Sequence, residues 1–87
     1  MFTVYILYSQ TFEKIYIGYT SNIEERLRSH NELAKKRYTV RYRPWVLIHT
    51  ETFNIKSEAM AREKALKGGQ GRKWIYEVIL PRYLSSC

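Results

Sequence analysis

Charged and polar side chains stand at apolar positions of two helix-like segments. In "SNIEERLRSHNELAKKR", Ile23 and Leu27 recur at helical spacing. His30 falls near the centre of the face that they form, and Arg26 lies at the edge of that face. In "EAMAREKALKG", Glu63 lies about 40° to 60° around the helix from its apolar neighbours. Because an unpaired charge is costly to bury, such groups are usually either paired or functional.

These three side chains have two interpretations. The structural one is an ion pair between Arg26 and Glu63, with His30 hydrogen-bonded in the core. The chemical one is a single cluster in which the arginine binds a phosphate, the carboxylate binds a metal ion and the histidine transfers a proton. Helical spacing does not show whether the two helices meet, so the residues alone leave both interpretations open.

Tyrosines are concentrated in "VYILYSQTFEKIYIGYT", which alternates as two strands joined by a short polar stretch. If the strands form a hairpin, Tyr5 and Tyr16 lie opposite or nearly so on one face of the sheet. Strand tyrosines more often pack than react, because tyrosine is a favoured strand residue. Tyr8 and Tyr19 are interpreted as strand residues of that ordinary kind.

The elements that must position these residues follow a simple order. The hairpin is followed by a helix that Ser21 begins as part of a capping box, and then by a third strand in "WVLIHTETF". Ser57 offers an N-cap for the next helix, and Gly68 offers its end. The segment around Trp74 is compatible with a helix or a strand and is expected to end at Pro81. The predicted fold is an α+β domain in the order β-β-α-β-α-α.

The composition limits the number of domains, the partners and the cellular location that can be expected. The chain has 87 residues, fifteen Lys and Arg against eight Asp and Glu, and a formal net charge of +7. We expect a single domain over residues 1–87, with nucleic acid as the first partner for its charge and an anionic membrane surface as the second. One cysteine and no apolar run of about 20 residues favour a reducing, cytoplasmic location and no membrane span.

Four spaced motifs, "TVYIL", "IYIGYT", "NIEERLRSHN" and "EAMAREKALKG", resemble the GIY-YIG nuclease superfamily, and most closely its small stand-alone bacterial members. The match extends from Phe2 to about Trp74. The resemblance implies a three-stranded antiparallel sheet flanked by helices. It also implies an endonuclease that cuts phosphodiester bonds with one divalent ion, Mg²⁺ or Mn²⁺.

The same resemblance assigns the site residue by residue. Tyr5 matches the first signature tyrosine, and Tyr16 matches the tyrosine of the second signature. Arg26 matches the helix arginine, and Glu63 matches the metal-binding glutamate. His30 stands where the family has a histidine or a tyrosine. The first signature reads Thr-Val-Tyr here in place of Gly-Ile-Tyr, and no asparagine follows the glutamate. Tyr5 is expected to receive the proton of the attacking water.

Cations and aromatic residues alternate in "KKRYTVRYRPW". The cations suit a phosphate backbone, and the aromatic faces suit stacking on bases. A solvated basic loop is the alternative. The predicted nucleic-acid-binding residues of this segment are Lys35, Lys36, Arg37, Tyr38, Arg41 and Arg43.

Three functions are compatible with these features. The first is an endonuclease with low sequence specificity that acts on DNA, including branched, damaged or single-stranded forms. The second is a module of the same fold that binds nucleic acid without cutting it. The third is an adaptor that contacts a protein partner through its basic surface, with Arg26 and Glu63 as a buried pair. A partner protein that supplies substrate specificity is compatible with the first two.

Overall fold

The computed structural model describes residues 1–29, 31 and 41–85 of the chain. Three antiparallel strands form one sheet in the order β2-β1-β3, so β1 is central and β2 is an edge. Helices follow the strands in the predicted order, which confirms the α+β class. The elements are β1 (Phe2–Ser9), β2 (Lys14–Thr20), α1 (Ile23–Arg28), β3 (Val46–Phe53), α2 (Lys56–Lys67), α3 (Gly69–Trp74), a π-helical turn (Ile75–Ile79) and α4 (Leu80–Ser85).

The alternation of β1 places two different sets of side chains on the two faces of the sheet. On one face, Val4, Ile6 and Tyr8 pack with the buried residues of α2 and of the π-helical turn. On the other face, Tyr5 and Leu7 pack with Trp45 and with the apolar side of α1. Both faces are therefore covered, and the central strand is buried along most of its length.

Helix α1 begins one residue later than the sequence prediction. Asn22, and not Ser21, is the N-cap, and its Oδ1 accepts a hydrogen bond of 3.1 Å from the backbone N–H of Glu25. The Asn22 N–H is in turn 3.1 Å from the Thr20 hydroxyl. The shift has a local cause, because an asparagine caps a helix about as well as a serine and here holds the extended backbone that the N-cap needs.

The start of α2 also differs from its prediction. Ile55 occupies the N-cap with no side-chain hydrogen bond, and Ser57 lies inside the first turn. Packing of Ala59 and Leu66, which are buried against the sheet, positions this helix in place of a cap. Met60, the next residue after Ala59, is 47% exposed.

The C-terminal segment is helical, which settles the choice between helix and strand around Trp74. Ile75 and Ile79 are buried in the core that covers the α2 face of the sheet. Pro81 does not end the helix as predicted: it is the second residue of α4, which continues directly from the π-helical turn. None of the helices among the described residues is long and apolar enough to cross a membrane.

Candidate active site

Tyr5 and Tyr16 lie on one face of the β1–β2 hairpin as diagonal neighbours. Tyr5 pairs with Gly18 across the strands, and Leu7 pairs with Tyr16. The two phenol rings stack with their centroids 6.3 Å apart and an angle of 26° between their planes. The expected proximity of the two tyrosines is therefore present in the structure.

Gly18 makes room for the phenol of its cross-strand partner. A Cβ atom on Gly18 would lie 2.5 Å from Tyr5 Oη and 2.7 Å from Tyr5 Cζ. Contacts that short do not occur in packed proteins, so Tyr5 could not keep its position opposite any other residue. The φ of Gly18 is not in the left-handed region, so its backbone conformation does not require a glycine. The glycine of "IYIGYT" is instead required by the position of the Tyr5 ring.

Arg26 reaches Tyr5 from α1. Its Nε donates a hydrogen bond of 3.4 Å to Tyr5 Oη, which joins the arginine to the tyrosine pair. Arg26 is exposed, whereas Tyr5 is 1% exposed. The arginine therefore presents a solvated guanidinium above a buried phenol, and such a group can donate two hydrogen bonds to a phosphate.

Glu63 comes to the same place from α2, on the other side of the sheet. It lines the same opening as Phe2 and Ser21, which lie at the open end of the hairpin. Its Oε1 lies 3.3 Å from Lys67 Nζ, one helical turn away. Within the described residues, Glu63 and Arg26 form no ion pair, so the structural pair considered from the sequence is wrong.

A cavity of about 380 Å³ joins these groups into one site. Several residues that line the cavity were not predicted from the sequence, and Lys56 is the most important of them, because it adds a second exposed cation beside Arg26. Lys56 is the first residue of α2, and nothing in its spacing distinguished it from the other lysines. The lining residues are Phe2, Tyr5, Tyr16, Gly18, Tyr19, Ser21, Arg26, Lys56 and Glu63.

The donor set suits a hydrated divalent ion. Among the described residues, no group of three His, Cys, Asp or Glu side chains could enclose a metal. Mg²⁺, however, usually keeps several waters and binds through one or two carboxylates together with substrate phosphates. Glu63, which is 19% exposed and lines a polar cavity, provides such a single carboxylate.

Burial raises the pKa of Tyr5 above its ordinary value. The hydrogen bond from Arg26 acts in the opposite direction but is the smaller effect, and the charges of Tyr16 and Glu63 add to the rise. The Tyr5 phenol is therefore protonated at neutral pH in the protein by itself. Arg26 does favour the phenolate that the expected role of Tyr5 requires, but its effect is smaller than that of burial.

The predicted nucleic-acid-binding segment is partly described. His30, Lys35, Lys36, Arg37 and Tyr38 lie outside the described residues. Arg41 and Arg43, the other two predicted binding residues of the segment, are described, and they make different contacts. Arg41 is exposed, with its guanidinium 5.5 Å from the centre of the Tyr42 ring. Arg43 is half-buried and donates to the backbone carbonyl of Ser29 at 3.4 Å.

Trp45, at the end of the same segment, belongs to the core. It is 3% exposed, and its indole meets the Tyr16 ring edge to face at 6.2 Å. Its backbone exchanges two hydrogen bonds with the Asn31 side chain, of 2.6 and 3.0 Å. Trp45 therefore supports Tyr16 from behind and has no ring face free for a base.

A second polar network lies on the other face of the sheet. Arg62 donates to both carboxylate oxygens of Glu51, at 2.7 and 3.1 Å, and holds the pKa of that carboxyl below its ordinary value. His49 is 2.8 Å from the same carboxylate, and the Arg62 guanidinium lies 5.3 Å from the Trp74 ring centre. These contacts tie β3 to α2 and α3, so the network is structural.

Comparison with known proteins bears on the whole arrangement. A family model described as the GIY-YIG catalytic domain matches residues 1–76. A UPF0213 protein of Staphylococcus haemolyticus is 47% identical over 53 residues, which are 61% of this chain and 65% of that protein. A UPF0213 protein of Natronomonas pharaonis is 44% identical over 64 residues, which are 74% of each chain. The chain thus spans just under two thirds of the staphylococcal relative.

A solved structure agrees with the sequence comparisons. The solution NMR structure of a UPF0213 protein from Bacillus halodurans has 28% sequence identity and a TM-score of 0.53 to this chain, over 90% of this chain and 85% of the other. The recognised resemblance and the three-stranded fold that it implied are both confirmed. GIY-YIG catalytic domains are typically endonucleases that use divalent metal ions.

Proposed function

Because the chain belongs to the GIY-YIG catalytic-domain family, we propose that it is a divalent-metal-dependent endonuclease that hydrolyses phosphodiester bonds in DNA with low sequence specificity. The observation that carries this proposal is the cavity that brings Tyr5, Tyr16, Arg26 and Glu63 together from two strands and two helices. Helix α1 and helix α2 lie on opposite faces of the sheet, so no simple packing requirement brings a cation and a carboxylate to one opening.

In this proposal the two exposed cations bind the scissile phosphate. Arg26 supplies paired N–H donors, and Lys56 supplies a point charge from the start of α2. A Mg²⁺ or Mn²⁺ ion held by Glu63 would stabilise the charge that develops on the phosphate oxygens. Tyr16, which is half-exposed and stacked on Tyr5, orients the phosphate or a water molecule in the cavity.

The proton of the attacking water is assigned to Tyr5. Arg26 favours the phenolate form of Tyr5 through its hydrogen bond, and burial opposes it. The base must therefore be created by cations that gather when substrate binds, since the free protein holds the phenol protonated. The participation of His30 stays a prediction, because this residue lies outside the described residues.

A second candidate is a module that binds nucleic acid without cutting it. The observation that favours it is the burial of Tyr5, which is 1% exposed, because burial raises the pKa of its phenol and a phenol that stays protonated cannot accept a proton. The same exposed cations would then serve binding alone. A partner protein that supplies activity would be compatible with this candidate.

The experiment that tests the proposal is cleavage of labelled single-stranded, duplex, flap and branched DNA, and of RNA, with Mg²⁺, Mn²⁺ or EDTA. Glu63→Gln keeps the shape of the side chain and removes its charge. Glu58→Gln is a matched control, because Glu58 is an exposed residue of the same helix and does not line the cavity. We expect cutting that requires the metal ion, is lost in Glu63→Gln and is kept in Glu58→Gln.

Binding and stability measured on the same proteins separate the candidates. If Glu63 holds the metal ion of an endonuclease, the wild type and Glu63→Gln should bind DNA with equal affinity in EDTA. No cutting by the wild type on any substrate, with binding intact, would contradict the proposal and favour the binding module. Unfolding of Glu63→Gln at much lower temperature would show a structural role and would also count against the proposal.

A further inference from the structure

The turn of the β1–β2 hairpin carries an aromatic and cationic cluster away from the cavity. Phe12 is in the turn, and Lys14 is the first residue of β2. Tyr42 comes from the described end of the basic segment and lies against both of them, and Arg41 lies over the Tyr42 ring. We call these four residues the hairpin-tip cluster.

The contacts of the hairpin-tip cluster centre on one ring. Phe12 and Tyr42 meet edge to face, with ring centroids 5.3 Å apart. The Lys14 ammonium lies 5.9 Å from the centre of the Tyr42 ring, and the Arg41 guanidinium lies 5.5 Å from it. Cations at these distances are attracted by the ring, so Tyr42 holds both charges beside Phe12.

Phe12 remains 45% exposed in spite of this contact. An exposed phenylalanine at the tip of a turn contributes little to the core, since the two buried clusters of the sheet do not include it. Lys14 and Arg41 are exposed as well. Glu13, in the same turn, offsets one of their positive charges, so the hairpin-tip cluster is distinguished by its exposed ring between cations and not by its net charge. An exposed ring flanked by cations matches a base flanked by phosphates.

We propose that the hairpin-tip cluster binds an unpaired nucleic-acid strand, with Phe12 stacked on a base and Lys14 and Arg41 on the adjacent phosphates. This inference rests on the proposed function and names its substrate class. An unpaired strand is required because the base faces of a duplex are already covered by neighbouring bases. The cluster is therefore a second contact for a strand whose cutting takes place in the cavity.

The separation of the two sites gives the proposal a length requirement. Gly18 lines the cavity, and Phe12 lies six residues earlier along the same hairpin. At the strand rise of about 3.3 Å per residue this is at most about 20 Å, because Phe12 and Glu13 lie in the turn. A strand with a stacked rise of about 3.4 Å per nucleotide needs about six nucleotides to cover that distance. Short oligomers cannot occupy both sites, and longer ones can.

The test measures binding of oligodeoxyadenylates, whose bases stack, of about 4 and about 12 nucleotides by fluorescence anisotropy in EDTA, which prevents cutting. We expect Phe12→Ala to weaken binding of the longer oligomer by about fivefold or more and to have a smaller effect on the shorter one, which can occupy either site but not both. Phe12→Tyr should restore binding. Tyr76→Ala is the matched control, because Tyr76 is 44% exposed on a helix that covers the other face of the sheet.

Lys14 is tested through salt dependence. Lys14→Gln should reduce the slope of log affinity against log salt by about 0.7 for the longer oligomer, the value for one phosphate contact on a single strand. Lys73→Gln, on α3, should leave the slope unchanged. Thermal unfolding of each variant shows whether the hairpin is intact.

Three results would overturn the inference. The first is equal binding of the longer oligomer by Phe12→Ala and the wild type. The second is an equal loss of affinity for both lengths in Phe12→Ala, which would indicate a structural role. The third is no binding of single strands by the wild type. Because the readout needs no cutting, absence of nuclease activity with a length-dependent loss would leave this inference standing and defeat only the proposed function. Cutting by the wild type, with no change in single-strand binding in Phe12→Ala, would support the proposed function and defeat only this inference.

Discussion

Tyr5 lies opposite Gly18, and its phenol can occupy its position only because Gly18 has no Cβ. The Tyr5 ring is buried and cannot move aside without disturbing Leu7 and Trp45, with which it packs. The position of its hydroxyl under Arg26 therefore depends on a glycine in the neighbouring strand.

Gly18→Ala should displace the Tyr5 hydroxyl from Arg26. The new methyl group would overlap Tyr5 Oη, so we expect a loss of about 1–3 kcal/mol of stability from overpacking. Any nuclease activity should fall as far as it does in Tyr5→Phe. Gly69→Ala is the control, because nothing lies within 4 Å of the Cβ that it would add. Full activity of Gly18→Ala would show that the exact position of Tyr5 is unimportant.

The raised pKa of Tyr5 predicts a dependence of stability on alkaline pH. The unfolded chain releases the proton near pH 10, and the folded chain holds it to higher pH. The stabilisation is therefore complete below about pH 9 and is lost as pH rises through the folded pKa, by about 1.4 kcal/mol per unit of difference between the two pKa values.

Urea unfolding of the wild type and of Tyr5→Phe between about pH 8 and about pH 11 measures this effect. The other tyrosines and the lysines are common to both proteins and cancel in the difference. We expect the wild type to lose more stability than the variant above about pH 10. Parallel curves for the two proteins would mean that burial does not hold the Tyr5 proton.

At the scale of elements, the corner between α2 and α3 is held by close backbone contact. A Cβ on Gly71 would overlap Leu66 Cα and the carbonyl oxygens of Ala65 and Leu66. These are backbone atoms, so they cannot turn away as a flexible side chain can. Gly68, extended at the end of α2, makes the bend that brings the two helices to this distance.

Gly71→Ala should destabilise the protein although alanine is the better helix former. Propensity alone predicts a gain of about 1 kcal/mol, and the overlap predicts a loss of about 1–3 kcal/mol or more. Thermal unfolding of Gly71→Ala and Gly69→Ala gives the comparison, because both glycines lie in α3 and only one of them is crowded. A gain of stability at both positions would show that the corner is loosely packed.

At the scale of the whole molecule, the exposed cations of two separate sites lie along the β1–β2 hairpin. Arg26 and Lys56 line the cavity at its open end, and Lys14 and Arg41 flank its turn. The net charge of +7 makes the approach of a polyanion favourable from any direction. A bound strand that follows the hairpin would meet both pairs of cations.

Binding of a single strand long enough to reach both sites should weaken steeply with salt. Four phosphate contacts predict a slope of about −3 in log affinity against log salt, at about 0.7 per contact. Contacts from Lys35, Lys36 and Arg37 would make the slope steeper. A slope near zero, measured by titration at several salt concentrations, would mean that neither pair of cations contacts phosphates.

The sequence by itself determined the strands, the hairpin and the shared face of Tyr5 and Tyr16, because alternation along a strand is a local property. Spaced motifs in order were sufficient to recognise the family and its fold. Local rules failed by a residue or two at the caps, where Asn22 competes with Ser21 and where packing replaces a cap at Ser57.

Only the tertiary structure decided what the side chains meet. The pairing of Arg26 with Tyr5 and not with Glu63, the cavity position of Lys56 and the burial that keeps Tyr5 protonated all depend on how two helices cover opposite faces of one sheet. The cluster of Phe12 with Tyr42 joins residues that are far apart in the chain. Such contacts depend on how the apolar faces of all the elements pack together, and the spacing of residues within one segment does not predict that packing.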